Sequence, residues 1–369
     1  MRLLLILSLC AAGPVLAQSD ECREAFAVRD ELREKMNAAK PDWRALHYKA
    51  KQQTQRCDLL ESLWKLRAAL ALKANDPADA KLATGQAKNQ FVLRDPEFEA
   101  LLASTPTDFN PAAPTRRFWA LVAGAGAFRD KNIKAFDYAA RDLREIQGLL
   151  GRWGYPTGQI LTALDKEFTK ATLAKRFSEL REKVEADDVV VVYVLSHGTE
   201  GAEDANSSSV LLTYDSDVSS PQRRYETGIQ VIGLVQEMFR ELKAKRVVLM
   251  LDACFSGDAI TGQRSPGGQP SPRFLDMLTQ NSGRVIISAG SADQRTWELP
   301  QRKMGAFAYC FVSAAAKYPE AAVVDLFPAL QACVGQEVAK LSEKPEQSPS
   351  LYASDRAKRI TLADPNKRR

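Results

Sequence analysis

Residues 189–198 read VVVVYVLSHG, and residues 247–257 read VVLMLDACFSG. Each stretch is a nearly continuous apolar run that ends in a short segment with a glycine. Apolar runs of this length without polar alternation are typical of strands that are buried on both faces. The sequence therefore predicts two buried strands, one of which ends just before His197 and the other just before Cys254.

The chain around these two runs alternates between predicted strands and predicted helices. Three shorter apolar runs predict further strands, at residues 119–123, 160–164 and 285–288. Four segments between the runs predict helices, at residues 139–150, 173–184, 229–242 and 305–316. Alternation of this kind implies a mostly parallel sheet covered by helices on both sides, and functional residues gather beyond the carboxyl ends of such strands. We therefore expect an α/β fold with His197 and Cys254 at one edge of the sheet.

His197 and Cys254 have the chemistry of a cysteine hydrolase, which needs a nucleophilic sulfur and an imidazole that handles its proton. The chain has only two histidines, and the other, His47, lies in a predicted helix near the N-terminus. The same count disfavours a zinc site, because there is no second histidine near His197 and no Cys-x-x-Cys pair. Gly198 and Cys254 lie in tight turns whose backbone N–H groups are suited to a developing oxyanion.

The two motifs resemble those of the caspase-like peptidases, the family of caspases, metacaspases and paracaspases. Five segments carry the resemblance, at residues 119–124, 138–142, 190–198, 252–257 and 284–299. The resemblance covers about residues 118–355. It implies a three-layer α/β/α domain with a six-stranded sheet, of which five strands are parallel. It also implies that His197 is the general base and acid, that Cys254 is the nucleophile, and that the N–H groups of Gly198 and Cys254 form the oxyanion hole.

Asp252, two residues before Cys254, bears on substrate preference. In this family, animal caspases have a glutamine there and cleave after aspartate, whereas metacaspases and paracaspases have an aspartate in an acidic pocket for arginine or lysine. A carboxylate at a pocket floor pairs well with a cationic side chain, bidentately with arginine. We therefore predict cleavage after arginine or lysine; the alternative is an aspartate that caps the loop. For a second pocket acid, Asp130, Asp215 and Asp217 are candidates by region only.

The segment after the cysteine motif, residues 258–273, is rich in Gly, Pro, Ser and Gln, which predicts an exposed loop. Family members are often nicked at this place, so Arg264 and Arg273 are candidate self-cleavage sites. The alternative is that any exposed loop is open to proteases. Some metacaspases need calcium, but no acidic loop of this chain matches a defined calcium-binding loop. No cofactor is therefore predicted, and calcium activation stays open.

The N-terminus has the three parts of a secretory signal peptide. Met1 and Arg2 give a positive start, residues 3–9 are almost wholly apolar, and a small-residue site ends at Ala17. The apolar run is too short to span a bilayer. We therefore predict a signal peptide over residues 1–17, no stable membrane insertion after its removal, and a periplasmic or secreted protein. The alternative is an uncleaved anchor.

Residues 18–104 are predicted to form a helical N-terminal region without a catalytic signature, for which the sequence indicates no particular partner. Apolar residues recur at three- and four-residue steps over residues 43–64, and a shorter pattern covers residues 22–36. These patterns predict a helical hairpin in which Cys22 and Cys57 lie at similar distances from the turn. In an oxidising compartment we expect a Cys22–Cys57 disulfide; two buried thiols are the alternative.

The remaining chain completes the predicted organisation. Residues 74–115 have a less regular pattern, and residues 105–117 are interpreted as a linker to a catalytic domain over residues 118–369. Removal of the signal peptide would leave five of the six cysteines, so one thiol stays unpaired within the chain. Cys310 and Cys333 lie on predicted apolar helices, where they are expected to pack as small buried hydrophobes.

Composition is ordinary for a globular protein. Hydrophobic residues make up 45% and charged residues 26%, and the net charge of +5 shows no compact basic block. No nucleic-acid partner is therefore expected. The leading hypothesis is an exported cysteine endopeptidase with a peptide or protein substrate. The alternatives are a catalytically silent caspase-fold scaffold or binding protein, and a Cys–His hydrolase of a non-peptide acyl substrate.

Overall fold

The computed structural model describes residues 15–57, 60–87, 117–200, 209–236, 238, 241–253, 279, 283–290, 294–318, 322–343, 345–355 and 357–364. The chain divides into two compact units, residues 1–103 and 104–369. Within the described ranges, no helix is long and apolar enough to cross a membrane.

The first unit is helical. Its helices are α1 (Val15–Met36), α2 (Trp43–Arg56), α3 (Glu61–Lys73) and α4 (Pro77–Ala87). Helices α1 and α2 pack together, and α3 packs against both α2 and α4. The side chain of Asp42 accepts a hydrogen bond from the N–H of Ala45, which caps α2 and explains where this helix begins.

Helical structure extends further than the pattern predicted, and it breaks at a different place. The apolar stripe over residues 43–64 predicted one continuous helix, but α2 ends at Arg56 and α3 begins at Glu61. In the segment expected to be irregular, Pro77 begins α4, where the N–H that proline lacks would have no helical partner. Periodicity missed the break because the same apolar face continues on both sides of it.

A buried polar cluster joins α2, α3 and α4. Asp79 accepts hydrogen bonds from Nε (2.8 Å) and Nη2 of Arg67, and its Oδ2 lies 2.7 Å from Nε2 of His47. Arg67 Nη1 also donates to Oγ1 of Thr54 at 2.7 Å. These hydrogen bonds, that of Arg67 first and that of His47 after it, hold the pKa of Asp79 well below its usual range. His47 therefore has a structural partner within the helical unit.

The second unit contains the predicted sheet. Its strands are β1 (Phe118–Gly124), β2 (Ile160–Leu164), β3 (Val189–Leu195), β4 (Gly198–Glu200), β5 (Ser209–Leu211), β6 (Ile229–Gln230), β7 (Arg246–Asp252), β8 (Arg284–Ser288), β9 (Glu298–Leu299), β10 (Met304–Gly305) and β11 (Ser350–Ala353). Six of them form one sheet in the order β11-β8-β7-β3-β1-β2. The neighbours from β8 to β2 are parallel, and β11 is antiparallel to β8. The mostly parallel six-stranded sheet is thus confirmed, as are all five strands that apolar runs predicted.

Helices surround this sheet. They are α5 (Ala139–Arg152), α6 (Lys170–Lys183), α7 (Pro221–Thr227), α8 (Val231–Gln236), α9 (Ala306–Lys317) and α10 (Val323–Val338). Val191 and Tyr193 of β3 belong to one buried cluster with residues of α5, α9 and α10. The helix predicted over residues 229–242 begins later than expected, because Ile229 pairs with Leu211 as part of β6.

A disulfide bond joins α9 to α10. The Sγ atoms of Cys310 and Cys333 are 2.03 Å apart, and their Cα atoms are 5.5 Å apart. The expectation that these residues pack only as small buried hydrophobes is therefore wrong, because the apolar pattern of each helix did not reveal that the two cysteines meet. Cys57 is also disulfide-bonded. The prediction that Cys22 is its partner falls on a side chain outside the described residues.

Candidate active site

Three neighbouring strands end at the edge of the sheet where the sequence predicted the site. In the parallel pairing of β3 with β7, Leu195 lies opposite Asp252, and Gly124 at the end of β1 lies opposite Leu195. A Cβ atom on residue 124 would approach the carbonyl oxygen of Leu195 to 2.5 Å. Glycine at this position therefore lets β1 end close to β3. His197 follows β3 at this same edge.

The imidazole of His197 is oriented by a backbone carbonyl. Its Nε2 lies 2.7 Å from the carbonyl oxygen of Lys134, in the loop between β1 and α5. A carbonyl oxygen can only accept a hydrogen bond, so Nε2 carries the proton and Nδ1 of the neutral ring has the free lone pair. Nδ1 is buried and has no hydrogen-bond partner among the described residues. The sequence did not reveal this orienting group, because every residue has a carbonyl.

Two aromatic rings from the same loop surround His197. The ring of Phe136 is stacked on the imidazole with 4.0 Å between centroids and 18° between planes. The ring of Phe128 is 5.6 Å away and tilted by 32°. Burial lowers the pKa of His197 to about 4, and the positive charges of Lys134 and Arg295 act in the same direction, so the ring is neutral at physiological pH.

Gly198 is the first residue of β4, which is antiparallel to β5. The N–H of Leu212 donates to the carbonyl oxygen of His197 at 2.9 Å. Hydrogen-bonded and non-hydrogen-bonded pairs alternate along an antiparallel ladder, so Gly198 and its partner Leu211 form a non-hydrogen-bonded pair. The N–H of Gly198 therefore points away from β5, an orientation that is compatible with the predicted oxyanion contact.

Three of the predicted site residues lie outside the described part of the chain. They are Cys254, Arg264 and Arg273. Asp252 and Ala253, which directly precede Cys254 in the sequence, are both described and buried.

Asp252 is held at the end of β7 by a tyrosine from β3. The hydroxyl of Tyr193 donates to Oδ2 of Asp252 at 2.6 Å. Burial raises the pKa of Asp252 to about 7, with a further contribution from the negative charge of Glu298, although the tyrosine hydrogen bond favours the carboxylate. Asp252 also lines the same cavity as His197.

Asp142 is the acidic partner that the sequence analysis missed. It lies in the first turn of α5 and accepts hydrogen bonds from the N–H of Gly305 at 3.1 and 3.0 Å. Burial, reinforced by the negative charge of Asp252, raises the pKa of Asp142 to about 8. A signal was present, because Asp142 interrupts the apolar face that α5 shows at Ala139, Leu143 and Ile146.

The three acids proposed by region are not at this site. Oδ2 of Asp130 accepts the N–H of Val218, and Asp217 forms an ion pair with Arg223 at 2.9 Å. Asp215 accepts a hydrogen bond from the hydroxyl of Thr213. Their carboxylates accept hydrogen bonds or form ion pairs that stabilise turns and a short helix, which is the common role of aspartates in loops.

His197, Asp142 and Asp252 line one cavity of about 290 Å³. Its remaining lining residues are Lys134, Ala135, Phe136, Asp137, Tyr138, Ala139, Leu195, Arg295, Thr296, Trp297, Glu298, Pro300 and Gly305. The wall after β8 is fixed by Gln347, whose side chain accepts the N–H of Trp297 and donates to the carbonyl of Ala289. Two buried carboxyl groups and an imidazole thus line the same cavity.

In the part of the chain that the structure describes, no group of three or more His, Cys, Asp or Glu side chains is arranged to hold a metal ion.

The family model described as the caspase domain matches residues 117–361. Among solved structures, the crystal structure of Caspase-1 from Spodoptera frugiperda is similar, with a TM-score of 0.45 and 14% identity over 65% of this chain and 87% of that chain. No curated protein matches the sequence.

Proposed function

The chain belongs to the caspase-domain family, and from this premise we propose that it is a cysteine endopeptidase that cleaves peptides after arginine or lysine. The observation that carries the specificity is the meeting of two buried carboxyl groups, Asp142 and Asp252, in the cavity that His197 lines. Two carboxyl groups side by side favour a planar cation that pairs with both, which is the property of arginine. An aspartate side chain would instead be repelled.

Cys254 supplies the nucleophile in this proposal. Leu195 and Asp252 lie opposite each other in the pairing of β3 with β7. His197 and Cys254 each follow two residues later in the sequence, which supports the proposal that they are neighbours. Nδ1 of His197 takes the thiol proton as sulfur attacks the peptide carbonyl, and the N–H groups of Gly198 and Cys254 stabilise the oxyanion. The C–N bond then breaks as Nδ1 returns the proton to the leaving amine. Water, deprotonated by Nδ1 of His197, then attacks the thioester; the C–S bond breaks, the peptide acid leaves, and the sulfur of Cys254 takes the proton back from Nδ1.

Export to the periplasm or the outside of the cell is part of the proposal. The disulfide between Cys310 and Cys333 supports it, because structural disulfides persist in oxidising compartments. Fusion of residues 1–30 to a reporter enzyme that is active only outside the cytoplasm tests this step. Reporter activity is expected for the fusion with the natural sequence, and it should be lost when Leu4 and Ile6 are replaced by arginine. An inactive reporter in the natural fusion would contradict export.

Self-processing within residues 258–273 is also part of the proposal. An arginine-specific peptidase would accept Arg264 or Arg273 as its own substrate. We expect the purified chain to be cut after one of them, and the Cys254→Ala chain to stay intact. Cleavage of the Cys254→Ala chain at the same bond would show that another protease is responsible.

The decisive experiment is hydrolysis of fluorogenic peptides that end in arginine, lysine or aspartate by the chain from Gln18 onward, beside its Cys254→Ala variant. We would measure it in reducing buffer, with and without calcium. Turnover of the arginine and lysine peptides by the natural chain alone supports the proposal. Turnover of only the aspartate peptide would overturn the role of Asp252, and turnover of simple esters alone would indicate a non-peptide acyl substrate. Inactivity on every substrate would favour a scaffold.

A further inference from the structure

The loop between β1 and α5 contacts the imidazole of His197 from more than one direction. The carbonyl of Lys134 accepts a hydrogen bond from Nε2 at 2.7 Å, while Phe136 is stacked on the ring with 4.0 Å between centroids. Phe128 lies at 5.6 Å and is inclined by 32°. Of these two rings, that of Phe136 is the nearer to the imidazole and the more nearly parallel to it.

This loop is fixed on both sides, so the ring of Phe136 has a defined position. On one side, the N–H of Arg129 donates to the carbonyl of Tyr214 at 2.8 Å. On the other, the N–H groups of Asp137 and Tyr138 donate to the two carboxylate oxygens of Glu298 at 3.1 and 2.8 Å. The N–H of Phe136 itself donates to the carbonyl of Gly126 at 2.9 Å.

We infer that Phe136 is a positioning residue for His197, because its stacked ring fixes the plane of the imidazole and keeps Nε2 on the carbonyl of Lys134. The catalytic meaning of this role rests on the proposed function, but its structural effect does not. A rotation of the imidazole by about 180° around its Cβ–Cγ bond would exchange ring edges and remove Nε2 from this acceptor. Nδ1 would then no longer present its lone pair where the unrotated ring does.

The charged neighbours of His197 do not provide an alternative orienting group. Lys134 and Arg295 are the charged side chains whose fields reach the imidazole, and both are cations that oppose its protonation. Nδ1 has no hydrogen-bond partner among the described residues. Among the described residues, one hydrogen bond and the stacked ring of Phe136 therefore orient the imidazole.

The test uses the two histidines as built-in probes. We would label histidine nitrogens in the full chain with Cys254→Ala and measure by NMR the tautomer and pKa of His197, with His47 in the other unit as the internal reference. The natural ring is expected to be the Nε2–H tautomer with a pKa well below 6. In Phe136→Leu we expect mixed tautomers and a pKa about one unit or more higher, because water reaches the exposed ring face. Phe136→Tyr should keep the natural values.

Phe128→Leu is the matched control, since it removes an aromatic ring that is not stacked on the imidazole, and we expect a shift less than half as large. Phe136→Met carries the same prediction as Phe136→Leu if the leucine variant does not fold. A folded Phe136→Leu or Phe136→Met chain that keeps one tautomer and the natural pKa would overturn the inference, as would an Nδ1–H tautomer in the natural chain.

Kinetics separate this inference from the proposed function. If the chain cleaves arginine peptides, Phe136→Leu should lower kcat about tenfold with little change in KM, since the defect lies in proton transfer rather than in binding. A pure increase in KM would contradict the positioning role. If the chain cleaves no peptide, the proposed function fails, but the NMR result still decides whether Phe136 holds the ring.

Discussion

Tyr193 donates its hydroxyl hydrogen to Oδ2 of Asp252 at 2.6 Å, across the pairing of β3 with β7. One oxygen of the Asp252 carboxyl group is therefore hydrogen-bonded to a side chain of the neighbouring strand. Both residues are buried, and the same strand that carries Tyr193 leads directly to His197. The hydrogen bond thus connects the floor of the cavity to the strand of the proposed base.

Loss of this hydrogen bond should weaken the binding of cationic substrates. In Tyr193→Phe, the pKa of Asp252 should rise further, because the tyrosine hydrogen bond stabilises the ionised form. We expect KM for an arginine peptide to rise several-fold at pH 7 and to recover by pH 9. Tyr155→Phe is the matched control: Tyr155 is equally buried, but its hydroxyl has no partner among the described residues. An equal effect of both variants would show that the change is not specific to Asp252.

The activity on arginine peptides should increase with pH between about 6 and 8. The pKa of Asp252 is raised to about 7 and that of Asp142 to about 8. Without substrate, the two carboxyl groups therefore share at least one proton at neutral pH, and a cationic side chain must displace this proton when it binds. His197, with a pKa lowered to about 4, stays neutral over this range. We therefore expect kcat/KM to rise with pH mainly through KM.

Asp142→Asn tests the origin of that pH dependence. It should remove the step near pH 8 and lower kcat/KM for arginine peptides by about 10- to 100-fold, the effect of one charged hydrogen-bonding partner. The rate of alkylation by iodoacetamide, measured over the same pH range, reports the ionisation of the Cys254 thiol separately. If the natural and variant chains show the same pH profile, the thiol and not the pocket sets it.

Reduction of the disulfide between α9 and α10 should destabilise the second unit. Cys310 and Cys333 are separated by 23 positions in sequence, and closing a loop of this size stabilises a fold by about 3 kcal/mol. Cys310→Ala with Cys333→Ala, in a Cys254→Ala background, should lower the denaturant midpoint accordingly. A reducing agent should lower the midpoint of the second unit for the natural pair but not for the variant, while the first unit, whose Cys57 is also disulfide-bonded, is followed separately. Equal midpoints of the second unit in all samples would contradict a structural role.

The buried cluster of α2, α3 and α4 should stabilise the first unit. Asp79→Ala leaves Arg67 and His47 without their acceptor, and we expect a loss of about 2 kcal/mol. Hydrogen exchange of residues 43–87 measures this locally. Asp30→Ala is the control, because the Asp30 side chain in its ion pair with Arg29 is 60% exposed and the pair should contribute little. Faster exchange in both variants would rule out a special role for the cluster.

Several features of the site were within reach of the sequence. The apolar runs predicted five strands, and the residues after two of them indicated His197 and Cys254 at one edge of the sheet. The structure has His197 at this edge, whereas Cys254 lies outside the described residues and the pocket role of Asp252 was implied by the family resemblance. Asp142 was within the helix that the pattern predicted, but periodicity does not say which element faces an interrupted apolar stripe. Its neighbours Asp252 and Gly305 are far from it in sequence.

The sequence by itself determined the five parallel strands of the large sheet, several of the helices around it and the edge of the sheet where chemistry is possible, because these follow from apolar runs and from the period of the helix. Only the tertiary structure decided which groups meet at this edge, namely the pair of Asp142 and Asp252, and the carbonyl of Lys134 and the ring of Phe136 at His197. The tertiary structure also decided the bond between Cys310 and Cys333. These contacts depend on how faces of different elements pack against one another. The pattern of a single segment carries no information about that packing.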